Sequence, residues 1–262
     1  MTLDPQTIDA LAALLDECQR NVRDTEKVTN RYPDMDWEDA YAVQAAILAR
    51  KLARGHKLAG LKAGLTSFAK MKQMGVTSPV FGFMTDDYIV PDGGVCEMRE
   101  LIHPKVEPEI AFVTRKPLRG PGCHIAAVLD ATDFVLPGIE VIDSRYQDFK
   151  FDLKSVIADN TSATRFVVGG IPTPLSGLDL RTVGIVMEKN GVPVAFGAGA
   201  AVLGHPATAI AMLANHLGAR GQEIPAGTLI LSGGITEAFA VQAGDHVALK
   251  VQGMGSTSVR FV

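Results

Sequence analysis

Two glutamates, Glu107 and Glu109, interrupt a run that is otherwise apolar: Val106, Ile110, Ala111, Phe112 and Val113. This pair limits what the chain can fold into more than any other feature. The run has the β-branched and aromatic character of a strand. Residues i and i+2 of a strand share a face, about 7 Å apart, so the two carboxylates stand side by side. On a covered face they repel, and each carries a desolvation cost. A fold that covers this face must bring positive charge to it. The other strongly apolar segment of this half, residues 134–142, holds one further acid, Glu140. Three carboxylates with no cysteine among them form a hard, all-oxygen set. Such a set suits Mg2+ or Mn2+, Ca2+ less well, and Zn2+ poorly. The alternative is an edge strand with both glutamates in water.

The whole chain bounds the answer further. Its 262 residues can bury a substantial core in one large domain or two small ones. With 47% hydrophobic and 21% charged residues it is globular. A formal net charge of -4 argues against a nucleic-acid surface. Cys18, Cys96 and Cys123 are scattered and odd in number, so they read as reduced thiols of a cytoplasmic protein. The opening residues put no basic segment ahead of an apolar run and do not read as a signal peptide. No segment approaches the roughly 18 apolar residues of a membrane span.

Residues 4–21 and 37–54 predict amphipathic helices, the first capped by Asp4 and Pro5, the second opening on acids. Residues 29–36 predict a loop. Together they form an N-terminal helical cap, residues 1–55, ahead of a β-rich catalytic domain, residues 56–262. Residues 57–65 predict a strand in which Lys62 sits among apolar neighbours, a cation that can face the acids; the bland reading is a surface lysine. Residues 67–74 predict a helix, 79–83 a loop and 84–90 a strand. The proline- and glycine-rich residues 115–123 predict an exposed or lid-like loop, and residues 125–131 a short helix. Residues 143–160, dense in charge and aromatics directly after Glu140, are the best candidate for a substrate wall. From Phe166 onward short β-branched runs alternate with glycine, and Asn190-Gly191 signals a tight hairpin. Residues 207–217 predict an apolar helix, with strands at 227–234, 245–252 and 256–262. This pattern predicts an α+β fold: a mixed, rolled, barrel-like sheet behind the helical cap. There is no GxGxxG opening a helix, no phosphate loop, no GxSxG elbow and no HExxH. His103, at the mouth of the acid strand, is a candidate support for the acids, or a surface or capping histidine.

Several segments carry a resemblance: LKAGLTSFAKMKQMGV, HPKVEPEIAFV, RGPGCHI, VLDATDFVLPGIEVIDSRY, FKFDLKSVIADNTS, EKNGVPVAFGAGAAVLGHP and LILSGG. From about residue 55 onward the chain resembles the fumarylacetoacetate hydrolase superfamily. Within it the chain resembles the bacterial meta-cleavage branch that holds 4-oxalocrotonate (2-oxo-3-hexenedioate) decarboxylase and 2-hydroxypentadienoate hydratase. The resemblance implies Mg2+ or Mn2+ ligands at Glu107, Glu109 and Glu140 and an active-site lysine at Lys62. It implies a catalytic wall with Arg145 and Ser162, and substrate contacts from Leu61, Asn160, Lys154 and Ser232. The implied activity is metal-dependent decarboxylation of a small 2-oxo dicarboxylic acid in aromatic hydrocarbon catabolism, with hydration of 2-hydroxypenta-2,4-dienoate as the alternative. FKFDLKSVIADNTS favours the decarboxylase. So does Val80, where the hydratases carry an Asp that can serve water addition. The implied partners are the pathway hydratase and further copies of the chain, with no nucleic acid and no membrane. Pro108 departs from the wider pattern; lacking an N–H, it suits only an edge or bulge position and puts the pairing of the acid strand in doubt.

Overall fold

The structure, a computed structural model, describes residues 1–73 and 75–262, without the side chains of Ala69, Lys70 and Gln73. Helix α1 (Pro5–Arg20) starts where Asp4 accepts hydrogen bonds from the Gln6 and Thr7 amides, satisfying donors that have no helical partner. A one-turn helix, α2 (Val28–Arg31), occupies the start of the segment expected as loop. Helix α3 (Trp37–Ala53) opens on a reciprocal cap between Asp36 and Asp39.

The chain then enters the sheets through β1 (Leu58–Gly64), α4 (Phe68–Gln73), β2 (Val80–Thr85), β3 (Gly94–Cys96) and β4 (Lys105–Thr114). It continues through α5 (Ile125–Ala131), β5 (Thr132–Ile142), α6 (Leu153–Ala158), β6 (Ala163–Val168), β7 (Gly184–Lys189) and β8 (Val192–Ala198). The last elements are α7 (Pro206–Gly218), β9 (Leu229–Leu231), β10 (Phe239–Ala240), β11 (His246–Val251) and β12 (Gly255–Phe261). The helix expected over 67–74 is α4; its expected last residue, Met74, lies outside the described residues. Among the described residues there are two sheets. One runs β2-β1-β9-β4-β5-β6 with β10 beside β4, and the other β3-β12-β11-β7-β8. Only the β1–β9 and β12–β3 pairs are parallel in these ladders. This is the mixed, curled α+β architecture that the sequence pattern predicts.

Three expectations need correction. Residues 80–85 form a fully buried strand, not a loop, and residues 86–88 form a single 3-10 turn where a strand was expected. Gly82, inside this strand, has a steric role. A Cβ on it would lie 2.6 Å from the Thr161 hydroxyl and 2.9 Å from the Asn160 side chain, so only glycine admits the turn that packs there. The segment 115–123 is largely exposed, as one of its two readings had it, but it is tied to the body and is not a lid. Leu118 is buried and exchanges backbone hydrogen bonds with Ile224, and the Cys123 amide donates to the Asn215 side chain on α7. Finally, Pro108 sits in a central strand. Its register with Ile139 is unbroken, and its carbonyl accepts from the Ile235 amide. The proline nitrogen faces that same flank, between the stretches where β4 pairs with β10 and with β9, so the ladder loses no bond there.

The helical cap shares its core with the body. Leu11 and Leu15 of α1 and Val43 and Ile47 of α3 cluster with Phe83 of β2, Tyr146 and Ile157 of α6. Burying each such aliphatic side chain contributes roughly 1.5–3 kcal/mol. Gln44 adds two donated bonds, to the Phe81 carbonyl at 2.9 Å and the Ile157 carbonyl at 3.0 Å. The cap thereby holds β2 and α6 in place, and both border the site.

Candidate metal centre

Register and parity bring the acids together. Glu107 and Glu109 share one face of β4, and Glu140 on β5 is the direct cross-strand partner of Glu107. Like charges placed directly opposite destabilise a sheet, so this arrangement calls for a counter-ion. One oxygen from each carboxylate lies within 4.8 Å of the others. Glu109 is 0% and Glu140 1% exposed, while Glu107 is half-buried and opens toward a cavity. The cavity measures about 370 Å3.

Lys62 reaches the same point from β1. Three strand spacings separate β1 from β5, roughly 14 Å in a flat sheet. Yet the Lys62 ammonium lies 2.9 Å from Oε1 of Glu140, so curling of the sheet closes the gap. Its position is fixed from behind by the Thr161 carbonyl at 3.2 Å. That carbonyl belongs to a run of three left-handed residues, Asn160, Thr161 and Ser162, with φ of 47°, 53° and 60°. Three consecutive non-glycine residues in this region store strain, which persists where surrounding contacts dictate it. Here the Asn160 side chain does so, accepting from the Phe83 amide and donating to the Phe83 carbonyl, each at 2.9 Å. The same turn delivers the Ser162 side chain to the cavity lining.

The charge balance is unequal. Among the described residues, three carboxylates face the Lys62 ammonium. Burial pushes the Glu109 carboxyl far above its ordinary range; the Glu140 charge adds to this and Lys62 opposes it. Burial also raises Glu140, against the pull of Lys62. For Lys62 burial acts downward, but the three glutamates outweigh it and the ammonium is held above its usual value. Several buried oxygens lack a hydrogen-bond partner: Oε1 of Glu109, Oε2 of Glu140 and the hydroxyls of Thr161, Ser162 and Ser232. Buried polar atoms are rarely left so. The Gly233 amide donates to Oε2 of Glu109 at 2.6 Å. At Gly234 an added Cβ would sit 2.9 Å from the Glu107 carboxyl carbon, so glycine there leaves that carboxylate its place. Excess negative charge, unpartnered carboxylate oxygens and an all-oxygen donor set fit a hard divalent cation.

The other expected site residues divide. Ser162 lines the cavity, and the Ser232 hydroxyl is buried beside the Gly233 amide. The Asn160 amide is occupied by β2, and Leu61 packs between the two main hydrophobic clusters; neither lines the cavity. Arg145 and Lys154 are not brought to the cavity at all. The buried Arg145 guanidinium pairs with Asp159 and donates to the Asp143 and Ala163 carbonyls and to Thr164. A guanidinium so engaged holds the chain that follows Glu140. The Lys154 ammonium turns outward to the Pro33 carbonyl, 3.0 Å away. His103 hydrogen-bonds the Ser144 carbonyl at 2.7 Å. The residue that the sequence reading missed is Lys105, whose parity with Glu107 puts it on the acid face; Phe149 and Phe151, from the segment expected as a substrate wall, do wall the cavity.

Comparison with known proteins places these features in context. The family profile described as fumarylacetoacetate (FAA) hydrolase C-terminal matches residues 58–262. A 4-oxalocrotonate decarboxylase from Pseudomonas sp. (strain CF600) is 58% identical over 261 residues, covering 100% of this chain and 99% of the relative. A 2-hydroxyhexa-2,4-dienoate hydratase from Comamonas testosteroni is 40% identical, with 98% of each chain covered. Among solved structures, a 4-oxalocrotonate decarboxylase from Pseudomonas putida complexed with magnesium and adipate superposes with a TM-score of 0.98. It is 56% identical and covers 100% of this chain and 99% of its own.

Proposed function

The chain belongs to the fumarylacetoacetate hydrolase family, and on that premise we propose that it is a lyase, a divalent-metal-dependent 4-oxalocrotonate decarboxylase yielding 2-hydroxypenta-2,4-dienoate. The observation that carries this reading is the convergence of Glu107, Glu109 and Glu140 with Lys62 at one end of the cavity. Glu107, Glu109 and Glu140 would hold Mg2+ or Mn2+, which when bound supplies a Lewis acid for the 2-oxo acid head.

The chain's own residues do the rest. The bond to the distal carboxylate breaks and CO2 leaves. Its electron pair moves through the conjugated system onto the 2-oxo oxygen, which takes up a proton and ends as the enol. Charge therefore grows at that oxygen, and a buried, preorganised ammonium beside it stabilises the transition state more than the ground state. Lys62 fills that role, aimed by the Thr161 carbonyl and Glu140. Ser162, lining the cavity, offers a hydroxyl to the same head. Phe149, Phe151 and Val156 form an apolar wall that limits water. Val80, also in the lining, cannot activate a water molecule, which favours carbon dioxide loss over hydration.

The test is a side-by-side assay of Mg2+-loaded protein on 4-oxalocrotonate and 2-hydroxypenta-2,4-dienoate. CO2 release from the first, abolished by EDTA, is the expected result. Water addition to the second without CO2 release refutes the decarboxylase assignment. The reading extends to a cytoplasmic homo-oligomer that associates with the pathway hydratase. It is supported by the free thiols and by the exposed apolar side chains of Val192, Val194 and Phe196 on the outer strand β8.

A further inference from the structure

We propose that Lys105 is the recognition site for the distal carboxylate of the substrate, and that it acts on substrate capture and not on the chemical step. The inference rests on the 2-oxo acid head lying at the glutamate end of the cavity, as argued above. Lys105 and Glu107 are two apart on one face of β4, and both line the cavity. Their backbone separation is about 7 Å. The five carbon–carbon bonds of an extended six-carbon diacid, each about 1.5 Å, span roughly 6 Å end to end. A diacid whose head is held at Glu107 thus delivers its far carboxylate to Lys105. The two lysines of the lining are differently employed. Lys62 is buried and paired with Glu140, whereas the Lys105 ammonium has no carboxylate within ion-pair distance among the described residues. It rests instead over the Phe149 ring, 4.2 Å from its centroid, a contact that holds a cation without neutralising it. The ring is presented by two successive left-handed residues, Asp148 and Phe149, with φ of 56° and 58°, and is flanked by His103 at 5.2 Å. The cation is therefore positioned at the lip, unspent, at the length of the diacid.

A contact to the departing carboxylate loses value as that carboxylate sheds its charge. Lys105 therefore stabilises the bound substrate more than the transition state, and its removal raises KM without lowering kcat.

The test compares 2-oxoadipate with 2-oxohexanoate, which share the head and differ in the distal carboxylate, by calorimetry on the Mg2+-loaded protein. Wild type is expected to bind the diacid at least about tenfold more tightly. In Lys105→Met the preference is expected to fall to near unity while 2-oxohexanoate affinity changes less than about twofold, and Lys105→Arg is expected to restore the preference. Kinetics with 4-oxalocrotonate should show the KM rise with kcat retained. Equal binding of the two acids by wild type, an unchanged ratio in Lys105→Met, or a kcat loss at constant KM overturns the assignment while leaving the decarboxylase reading intact. Failure of both acids to bind, with no CO2 release by wild type, overturns the two together.

Discussion

Replacing Glu109 by glutamine is expected to make the metal-free protein more stable and the metal-loaded protein relatively less so. Glu109 is fully buried; one oxygen accepts from Gly233 and the other has no partner. Among the described residues it is grouped with the carboxyls of Glu107 and Glu140 and the Lys62 ammonium. Glutamine is nearly isosteric, keeps the acceptor for Gly233 and offers a donor to the unpartnered oxygen of Glu140. It removes a buried charge whose desolvation the chain alone does not offset, a change worth roughly 1–4 kcal/mol. At about 2–4 °C per kcal/mol for a domain near this size, a gain of about 2 kcal/mol raises Tm by roughly 4–8 °C in EDTA. Mg2+ at a thousand times its Kd stabilises wild type by about 4.1 kcal/mol, and the variant, short of one ligand, gains little. The order of melting temperatures therefore inverts between EDTA and saturating Mg2+ in differential scanning calorimetry. A variant that melts below wild type in EDTA refutes the reasoning, because the carboxylate would then be satisfied without an ion.

Lys62→Met is expected to lower kcat by roughly 10²–10³-fold, the loss typical of one preorganised charge-stabilising donor. Mg2+ affinity in the same variant should stay equal or tighten, since a competing cation has left the carboxylates; weaker binding by titration contradicts this. Arg145→Met should destabilise the protein by roughly 3–5 kcal/mol in urea unfolding, because Asp159 would be left buried without its partner. Turnover per folded molecule should hold, and a kcat loss would return Arg145 to the catalytic set. His216 packs 4.5 Å from Tyr41 and 5.0 Å from Phe81, and burial, with Arg220 adding, pushes its imidazole down to about 4. The folded value lies below the unfolded one, so the neutral ring's contribution is complete above about pH 6.5 and is lost as pH falls toward 4; discounted for partial exposure it is roughly 1–2 kcal/mol. His216→Phe should flatten the stability curve over that window, and an unchanged slope disproves the assignment.

What could be read from the chain was whatever its physics left local. Asp4 and Asp36 declare their helices because a cap needs only its own first turn. Asn190 and Gly191 adopt φ of 55° and 78°, as a tight hairpin requires. The glutamates stood out because acids inside an apolar strand conflict with their own neighbours. Residues whose meaning depends on a distant partner were misread. Arg145 looks like a ligand for an anion until Asp159 is found beneath it. Residues 79–83 look like a loop until Gly82 is seen to make room for the left-handed turn at 160–162. Lys105 was within reach, since strand parity alone puts it with Glu107, but nothing in the sequence shows that Phe149 will take its ammonium.

The curl that carries Lys62 to Glu140 also dictates how the protein can come apart. The ion-binding pole draws on β1, β4, β5 and the amide of Gly233, so no short contiguous fragment contains it. Such long-range closure forms slowly and late relative to local helices. A nascent chain released before β9 would carry all three glutamates and the lysine yet lack the strand that sits between β1 and β4. Cuts or circular permutations that open the β1–β9 seam should therefore silence the pole outright, while those placed in the Asn190-Gly191 hairpin should spare it.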